Sequence, residues 1–466
     1  MNEIPPRLTN LLTPGTVSAE LADRFVAAGF SFYLVGGSVR DALLGLENVD
    51  LDYTTNARPE EIKKIVEPWA DAVWSPGERF GTVACEKNGN KLEITTFRSE
   101  TYRDDSRKPE VAFSDDIATD LSRRDFTVNA MALQLPNLEL LDPYNGAADL
   151  TEKRLRTPLS AEISFLDDPL RMLRAARFIA SLGLVPEPEI VEAVKKHRER
   201  LKIVSAERVR DEFNKLLLCE NPTNGLWFLT ETGLSDEFFP ELNAMRLEQD
   251  PVHQHKDVLA HTIAVVHNTR PKLRLRLAAI MHDIAKPKTR AFGPNGVTFH
   301  HHDVVGARMA EKRMRELKYP NDIIDDVKKL VFLHLRIHTY AMGWTDSAVR
   351  RYARDAGDLL DDLNELVRCD CTTRNKQKAE ILSARVDELE ARIEELRAQE
   401  ELSSLRPPLN GDQVMEFLGV PPGRVIGNAL DFLLENRLDE GPVPETDAYE
   451  RLRKWAIEQG IDLPAS

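Results

Sequence analysis

The spacing of apolar positions changes twice along the chain. Up to about residue 150, apolar runs at 32–35, 49–53, 82–86 and 92–97 are bounded by turn residues and predict strands, while 19–28 carries the spacing of a helix. From 155 to 242 the spacing is helical throughout, broken at Pro186, Pro188 and Pro222, and strand-like alternation is absent. A further helical block over 251–374 collects every histidine except His197. Residues 379–401 set apolar side chains at heptad-like spacing among dense charge, which predicts a long helix packed on its neighbours. A short helix is expected within 405–423 and a last one near 449–459. These shifts predict an α+β fold: a small mixed-sheet head domain at 20–150, then all-α parts at 151–245 (neck), 250–375 and 376–466 (tail).

Composition adds limits. At 466 residues the chain exceeds one ordinary hydrophobic core, given roughly 150 residues per domain. No run approaches the ~20 apolar residues that span a bilayer, and the start MNEIPPRLTN lacks the basic and apolar regions of a secretory signal, so a cytoplasmic location is expected. Four scattered cysteines agree with that, and the Cys369/Cys371 pair reads as buried thiols. A formal net charge of −15 argues against indiscriminate coating of nucleic acid but leaves room for local basic faces, such as 195–200 and 270–276.

Two constellations carry chemistry. The stretch Leu34-Val35-Gly36-Gly37-Ser38-Val39-Arg40-Asp41 runs a strand into a Gly-Gly turn and opens a helix, which aims unhindered backbone N–H groups of Gly36 and Gly37 at a phosphate, with Arg40 one turn in. Asp50 and Asp52 stand two apart on a strand and project from one face, where they can share Mg²⁺. The phosphate cradle G-x-x-x-x-G-K-[ST] is missing, which disfavours a P-loop enzyme. Further on, Asp168, Arg171 and Arg174 fall at three-residue steps on a helix opening near Pro169. A carboxylate accepts from the exocyclic amine of cytosine or adenine, and a guanidinium donates to their acceptors; uracil and guanine present a carbonyl instead. An isolated D-x-x-R is more often a helix cap followed by surface arginines.

The stretches LVGGSVRDALLG, VDLDYTT, LEITTFR, SRRDFTVNA and DDPLRMLRAAR together resemble the class II CCA-adding tRNA nucleotidyltransferases and their relatives the bacterial poly(A) polymerases, within the DNA polymerase β superfamily. The resemblance implies Asp50 and Asp52 as catalytic Mg²⁺ ligands, Gly37, Arg40 and Arg124 as nucleotide contacts, Asp168 and Arg171 as selectors of CTP and ATP, and Arg174 and Arg177 as triphosphate contacts. Glu93 stands open between a third metal ligand and a structural role. Asp167 replaces the glutamate usual in the family. Residues 205–213 resemble a neck helix, and 142–150 the hinge between head and neck. The partner implied is tRNA, held at its acceptor stem and 3′ end by shape and backbone. The polar linker 99–116, expected to be mobile, and Gly77–Val83 look more like complete CCA addition than poly(A) synthesis.

His261, His282, Asp283 and Asp370, with His302 and His334 as further candidates, resemble the HD metal phosphohydrolases and imply a second divalent metal. His253, His255, His300 and His301 stay open as alternative imidazoles. The competing expectations are a poly(A) polymerase, a phosphohydrolase with an inert head, and an RNA-binding module without catalysis.

Overall fold

The computed structural model describes residues 6–46, 51–77, 81–103, 106–250, 255–293, 296–371, 376–400, 406–441, 443–461 and 463–464. The chain divides into two compact units, Met1–Ala244 with Arg315–Tyr319, and Met245–Met314 with Pro320–Ser466.

The first unit opens on a seven-stranded mixed sheet. Its strands are β1 (Phe32–Val35), β2 (Leu51–Thr55), β3 (Ala72–Gly77), β4 (Thr82–Lys87), β5 (Asn90–Thr96), and, past a separate hairpin of β6 (Arg98–Arg103) and β7 (Ser106–Phe113), β8 (Ala132–Leu135) and β9 (Glu139–Leu141). The order is β3-β4-β5-β2-β1-β8-β9, with β2 and β5 parallel and every other neighbour antiparallel. The helix Val17–Ala27, capped by the Thr16 side chain on Ala19 N–H, buries Leu21, Ala22 and Phe25 against one face. There the rings of Phe25, Phe32 and Tyr53 stack in series at 4.5 and 4.8 Å. On the other face Tyr33, Val35 and Ala132 join Phe97, Leu121 and Ala130 in a second, smaller core.

The 98–113 hairpin replaces the mobile linker expected from the sequence. Arg98 pairs with Phe113, Ser99 with Ala112 and Glu100 with Val111, so this polar stretch still closes its own backbone ladder. Beyond the sheet, helix Leu170–Leu182 packs on Ala206–Leu217 and Thr223–Glu231. The last contact is close enough that a Cβ on Gly225 would meet the Ala176 carbonyl at 2.4 Å, which explains a glycine inside that helix.

The second unit is helical, but not wholly so: two small hairpins, Glu248–Asp250 with His255–Asp257 and Arg290–Gly293 with Gly296–Phe299, interrupt what the sequence reading took as all-α. Helix Leu273–Met281 is buried from Leu275 onward. Helix Lys376–Glu400 buries Val386, Leu389, Ile393 and Leu396, the packing role its heptad-like spacing implies. The tail is three helices, Gly411–Leu418, Arg424–Glu440 and Glu445–Glu458, around a core of Val414, Leu418, Leu433 and Leu452. The sequence reading passed over the middle one, although Ile426, Ala429 and Leu433 carry its period. Among the described residues no helix is long and apolar enough to cross a membrane.

Candidate functional site

In the first unit the Gly-Gly turn forms as the sequence predicts: β1 ends at Val35, Gly36 takes φ +70°, and a helix runs over Gly37–Leu43. A Cβ on Gly36 would lie 2.8 Å from Arg124 Nη1, so the glycine lets that guanidinium sit directly on the turn. Arg124 also lies 3.4 Å from Asp120, a fully buried carboxylate that Arg123 grips with two N–H groups at 2.7 and 3.0 Å. Burial alone would raise the Asp120 pKa, but the charges of Arg123 and Arg124 hold it below the usual carboxylate value. The Arg124 Nε is buried without a hydrogen-bond partner.

Ser38 Oγ accepts the backbone N–H of Asp52 at 3.3 Å and ties β2 to the turn. Asp52 is exposed beside Glu93, its register partner on β5, while the flanking residues Tyr53, Leu92 and Ile94 are buried in the core. Asp50 lies outside the described residues. Two carboxylates side by side on neighbouring strands repel each other, which a divalent cation between them would reverse. The pair therefore fits a metal, and it favours the acidic role for Glu93.

The arginines expected to meet a triphosphate converge. Arg40 donates to Asn129 Oδ1 at 2.6 Å, Asn129 to Asp125 at 3.0 Å, and Arg174 to the other Asp125 oxygen through Nε at 2.7 Å and Nη2 at 2.6 Å. Arg40, Arg174 and Arg177 each place their guanidinium carbon over the Phe178 ring, at 5.3, 5.6 and 4.2 Å. Arg177 is further bound to the buried Glu212. Burial pushes the Asp125 carboxyl up, but the Arg174 charge, the Asn129 bond and the Arg171 charge outweigh it and bring the pKa down to about 2. In turn Asp125 raises Arg174.

Asp168 closes the helix Ala161–Asp167, and the next helix begins at Leu170. Its Oδ1 accepts Leu170 N–H at 3.1 Å and its Oδ2 lies 3.5 Å from Arg208. It is thus a cap as well as a candidate base contact. Arg171 is buried, with Nη1 on Ser164 Oγ at 2.9 Å and Nη2 on the Arg123 carbonyl at 2.6 Å. A cavity of about 110 Å³ opens beside it, bounded by Arg123, Arg124, Ser164 and Asp167.

In the second unit His261, His282, Asp283, His302, His334 and Asp370 come together. His261 Nε2 lies 2.8 Å from Asp370 and 3.5 Å from Asp283; His282 Nε2 lies 3.2 Å from Asp283 and 3.4 Å from Asp370; His302 Nε2 lies 3.5 Å from Asp283. The trios His261/His282/Asp283 and Asp283/His302/His334 each hold their ligand atoms within 4.8 Å of one another. Nδ1 of His282, His302 and His334 faces the carbonyl three residues earlier, at 2.7, 2.8 and 2.6 Å. A carbonyl only accepts, so Nδ1 carries a proton in each, and in the neutral rings of His302 and His334 Nε2 points its lone pair inward. Nε2 of His302 and of His334 is buried with no hydrogen-bond partner among the described residues. Burial lowers the pKa of both, His334 to about 4, and keeps them neutral. Against its own burial, Asp283 and Asp370 raise His282 to about 10. Lys286, 2.7 Å from Asp283, is a member the sequence reading quoted without a role. Of the alternative imidazoles, His300 and His301 are exposed, and His253 lies outside the described residues.

Three family models match: the poly A polymerase head domain over 32–156, the probable RNA and SrmB- binding site of polymerase A over 183–246, and the HD domain over 258–386. The A-adding tRNA nucleotidyltransferase of Deinococcus radiodurans is 33% identical over 441 residues, covering 91% of this chain and 95% of that one. The chain belongs to the tRNA nucleotidyltransferase family. It is an enzyme, and this family works with a divalent metal. The CCA-adding enzyme of Lactobacillus gasseri is 39% identical over 232 residues, half of this chain and 57% of that one; the chain spans only about half the length of several such relatives. The Bacillus stearothermophilus CCA-adding enzyme, solved in complex with CTP, shares the fold, with a TM-score of 0.68, 23% identity and 99% of each chain covered.

For this nucleotidyltransferase, sequence reasoning missed Asp125, Asn129 and Phe178. The first two stand four apart inside the SRRDFTVNA stretch, and Phe178 directly follows Arg177, so adjacency to the named arginines was the available signal. The two basic clusters are largely occupied by internal partners. Lys196 and His197 meet Glu162, Arg198 meets Asp236, Arg270 meets Glu365, Lys272 meets Asp362, and Arg276 is buried on the Thr269 carbonyl. Cys369 and Cys371 are half-buried free thiols on either side of Asp370, where buried ones were expected.

Proposed function

We propose that this enzyme adds C, C and A to the 3′ end of tRNA from CTP and ATP, without a nucleic-acid template. The observation that supports it best is the chain Arg40–Asn129–Asp125–Arg174, which joins the Gly36-Gly37 turn to the helix that opens after Asp168. The tRNA 3′-oxygen forms a bond to the α-phosphorus, the bond to the bridging oxygen breaks, pyrophosphate leaves and the hydroxyl proton passes to solvent. Asp50 and Asp52, with Glu93 beside Asp52, would hold Mg²⁺, which when bound neutralises phosphate charge. Gly36, Gly37, Arg40, Arg124, Arg174 and Arg177 bind and orient the triphosphate. Arg171 is already pinned and donates to the base, while Asp168 accepts from its amine. The functional parts follow 20–150, 151–245, 250–375 and 376–466, and the enzyme acts in the cytoplasm.

The test offers tRNA lacking CCA, and tRNA ending in CC, to each labelled nucleotide alone and to all four together. Ordered C, C, A addition that stops supports the reading. Addition of A to the CC-ended substrate alone would replace it with A addition, the activity named for the Deinococcus radiodurans relative. Long adenylate tracts would replace it with poly(A) synthesis.

A second activity is favoured by the histidine cluster. His261, His282, Asp283 and Asp370, with His302 and His334, would hold a divalent metal, and the orphaned Nε2 atoms of His302 and His334 fit one. The reaction is hydrolysis of a phosphoester at an RNA 3′ end: water adds to phosphorus and the ribose oxygen leaves as an alcohol. Release of phosphate or opening of a 2′,3′-cyclic phosphate, lost in His282→Ala, tests it.

A further inference from the structure

The Arg290–Gly293/Gly296–Phe299 hairpin is joined to the histidine cluster at its base. The Phe299 carbonyl accepts from His302 Nδ1 at 2.8 Å, and Lys286 Nζ, itself on Asp283, lies 5.6 Å from the centroid of the Phe299 ring. Arg290 is the register partner of Phe299, and Phe292, two residues on, stands about 7 Å further from the cluster at the rise of a strand. Phe292 is 72% exposed, the largest exposure among the large hydrophobics of the described residues. Arg290 lies against its ring at 4.8 Å and, like the exposed Lys288, has no acidic partner among the described residues. In a chain with 77 acidic and 62 basic side chains, a cation without an acidic partner among the described residues, set on an exposed aromatic ring and preceded closely in sequence by a second, stands out.

We infer that this hairpin is a substrate arm for the histidine cluster and that its occupant is the single-stranded 3′ end of an RNA. A nucleobase stacks on Phe292, and Arg290 and Lys288 take a neighbouring backbone phosphate. Phe292 stands about one nucleotide step beyond the hairpin base that meets His302, so the stacked base precedes the terminal one and the RNA runs on toward the histidines. The chemistry needed is an aromatic face with a cation at its edge, which a small phosphate ester uses only in part. This inference rests on the phosphohydrolase reading of the cluster and names the residues that hold its substrate.

The test uses the full chain with Mg²⁺, Mn²⁺, Co²⁺ or Ni²⁺. It compares hydrolysis of a short oligoribonucleotide ending in a 2′,3′-cyclic phosphate with that of bis(p-nitrophenyl) phosphate. Phe292→Ala should lower kcat/KM for the RNA relative to the small ester by about 10-fold, chiefly through KM, and Phe292→Tyr should restore it. Arg290→Ala should flatten the salt dependence of the RNA reaction. A ratio for Phe292→Ala equal to that of the unmodified chain overturns the arm. If the unmodified chain cleaves neither substrate, the phosphohydrolase reading falls, and photocrosslinking then decides the arm. A 4-thiouridine at the penultimate position should attach within residues 286–299 and lose that attachment in Phe292→Ala; attachment elsewhere overturns it.

Discussion

The first unit gathers guanidinium groups and the second gathers carboxylates and imidazoles, yet both centres use the same device: the functional side chains are held by groups that are themselves buried. Arg124 is positioned by Asp120, Arg174 by Asp125 and Arg177 by Glu212. Three histidines of the second unit are positioned by backbone carbonyls three residues earlier. The difference lies in what each lacks. The arginine centre is complete in positive charge and needs an anion, whereas the histidine centre has two carboxylates and two inward lone pairs and needs a cation. On the proposed function, one would take a triphosphate, and the other would load a metal before it meets phosphate.

The sharpest way to break this comparison is to disable each centre separately. Asp52→Ala should lower nucleotide incorporation by about 10³-fold or more, the scale of losing a metal ligand from a phosphoryl-transfer site, while phosphoester hydrolysis continues. His282→Ala should do the reverse. Loss of both activities in either variant would mean that the two centres are one functional unit. The next effect is on stability. Asp125 titrates at about 2 in the folded chain against about 3.9 unfolded, so its contribution is fully present above pH ~4 and is lost as pH falls through ~2. Asp125→Asn should therefore cost about 2 to 3 kcal/mol in urea denaturation at pH 7, and the gap should narrow on acidification. An equal gap at every pH would show that packing, rather than charge, holds Asp125 in place.

The sequence was informative where chemistry needs a fixed spacing. Gly36 is legible because only glycine adopts its backbone without meeting Arg124, and His282-Asp283 because an apolar helix ending in two ligands has few other readings. Phe178 was not legible: on sequence it is one more buried aromatic, and its place beneath three arginines depends on Arg40, which lies far away in the chain. The 98–113 hairpin is not legible because its residues are mostly polar, with no alternating apolar face to announce a strand. Glu93 needed the parallel pairing of β2 with β5, a long-range fact that composition cannot carry.

Base selection sets a smaller effect. Asp168→Ala removes an acceptor worth about 1–3 kcal/mol of discrimination, so misincorporation from UTP or GTP should rise by about 10-fold in single-turnover assays. Its cap on Leu170 is lost as well, which should lower stability by about 1 kcal/mol. Asp168→Asn keeps an acceptor oxygen for the cap and separates the two effects: if it restores stability without restoring discrimination, the carboxylate itself reads the base.

The smallest expected effect is at Gly36. Alanine there must either adopt φ +70°, at roughly 1–2 kcal/mol, or displace Arg124, whose Nη1 would be 2.8 Å from the new methyl carbon. A guanidinium is the end of a flexible chain, so Arg124 moves more cheaply than the turn does. Gly36→Ala should then raise KM for CTP and ATP by a few-fold, with kcat falling less, because a phosphate contact is weakened while the Asp52 side of the centre is untouched. Arg124→Ala in the Gly36→Ala background should add less than it does alone, since both changes act on one contact. Full additivity would show that Gly36 serves only the backbone, and that Arg124 reaches the nucleotide without help from the turn.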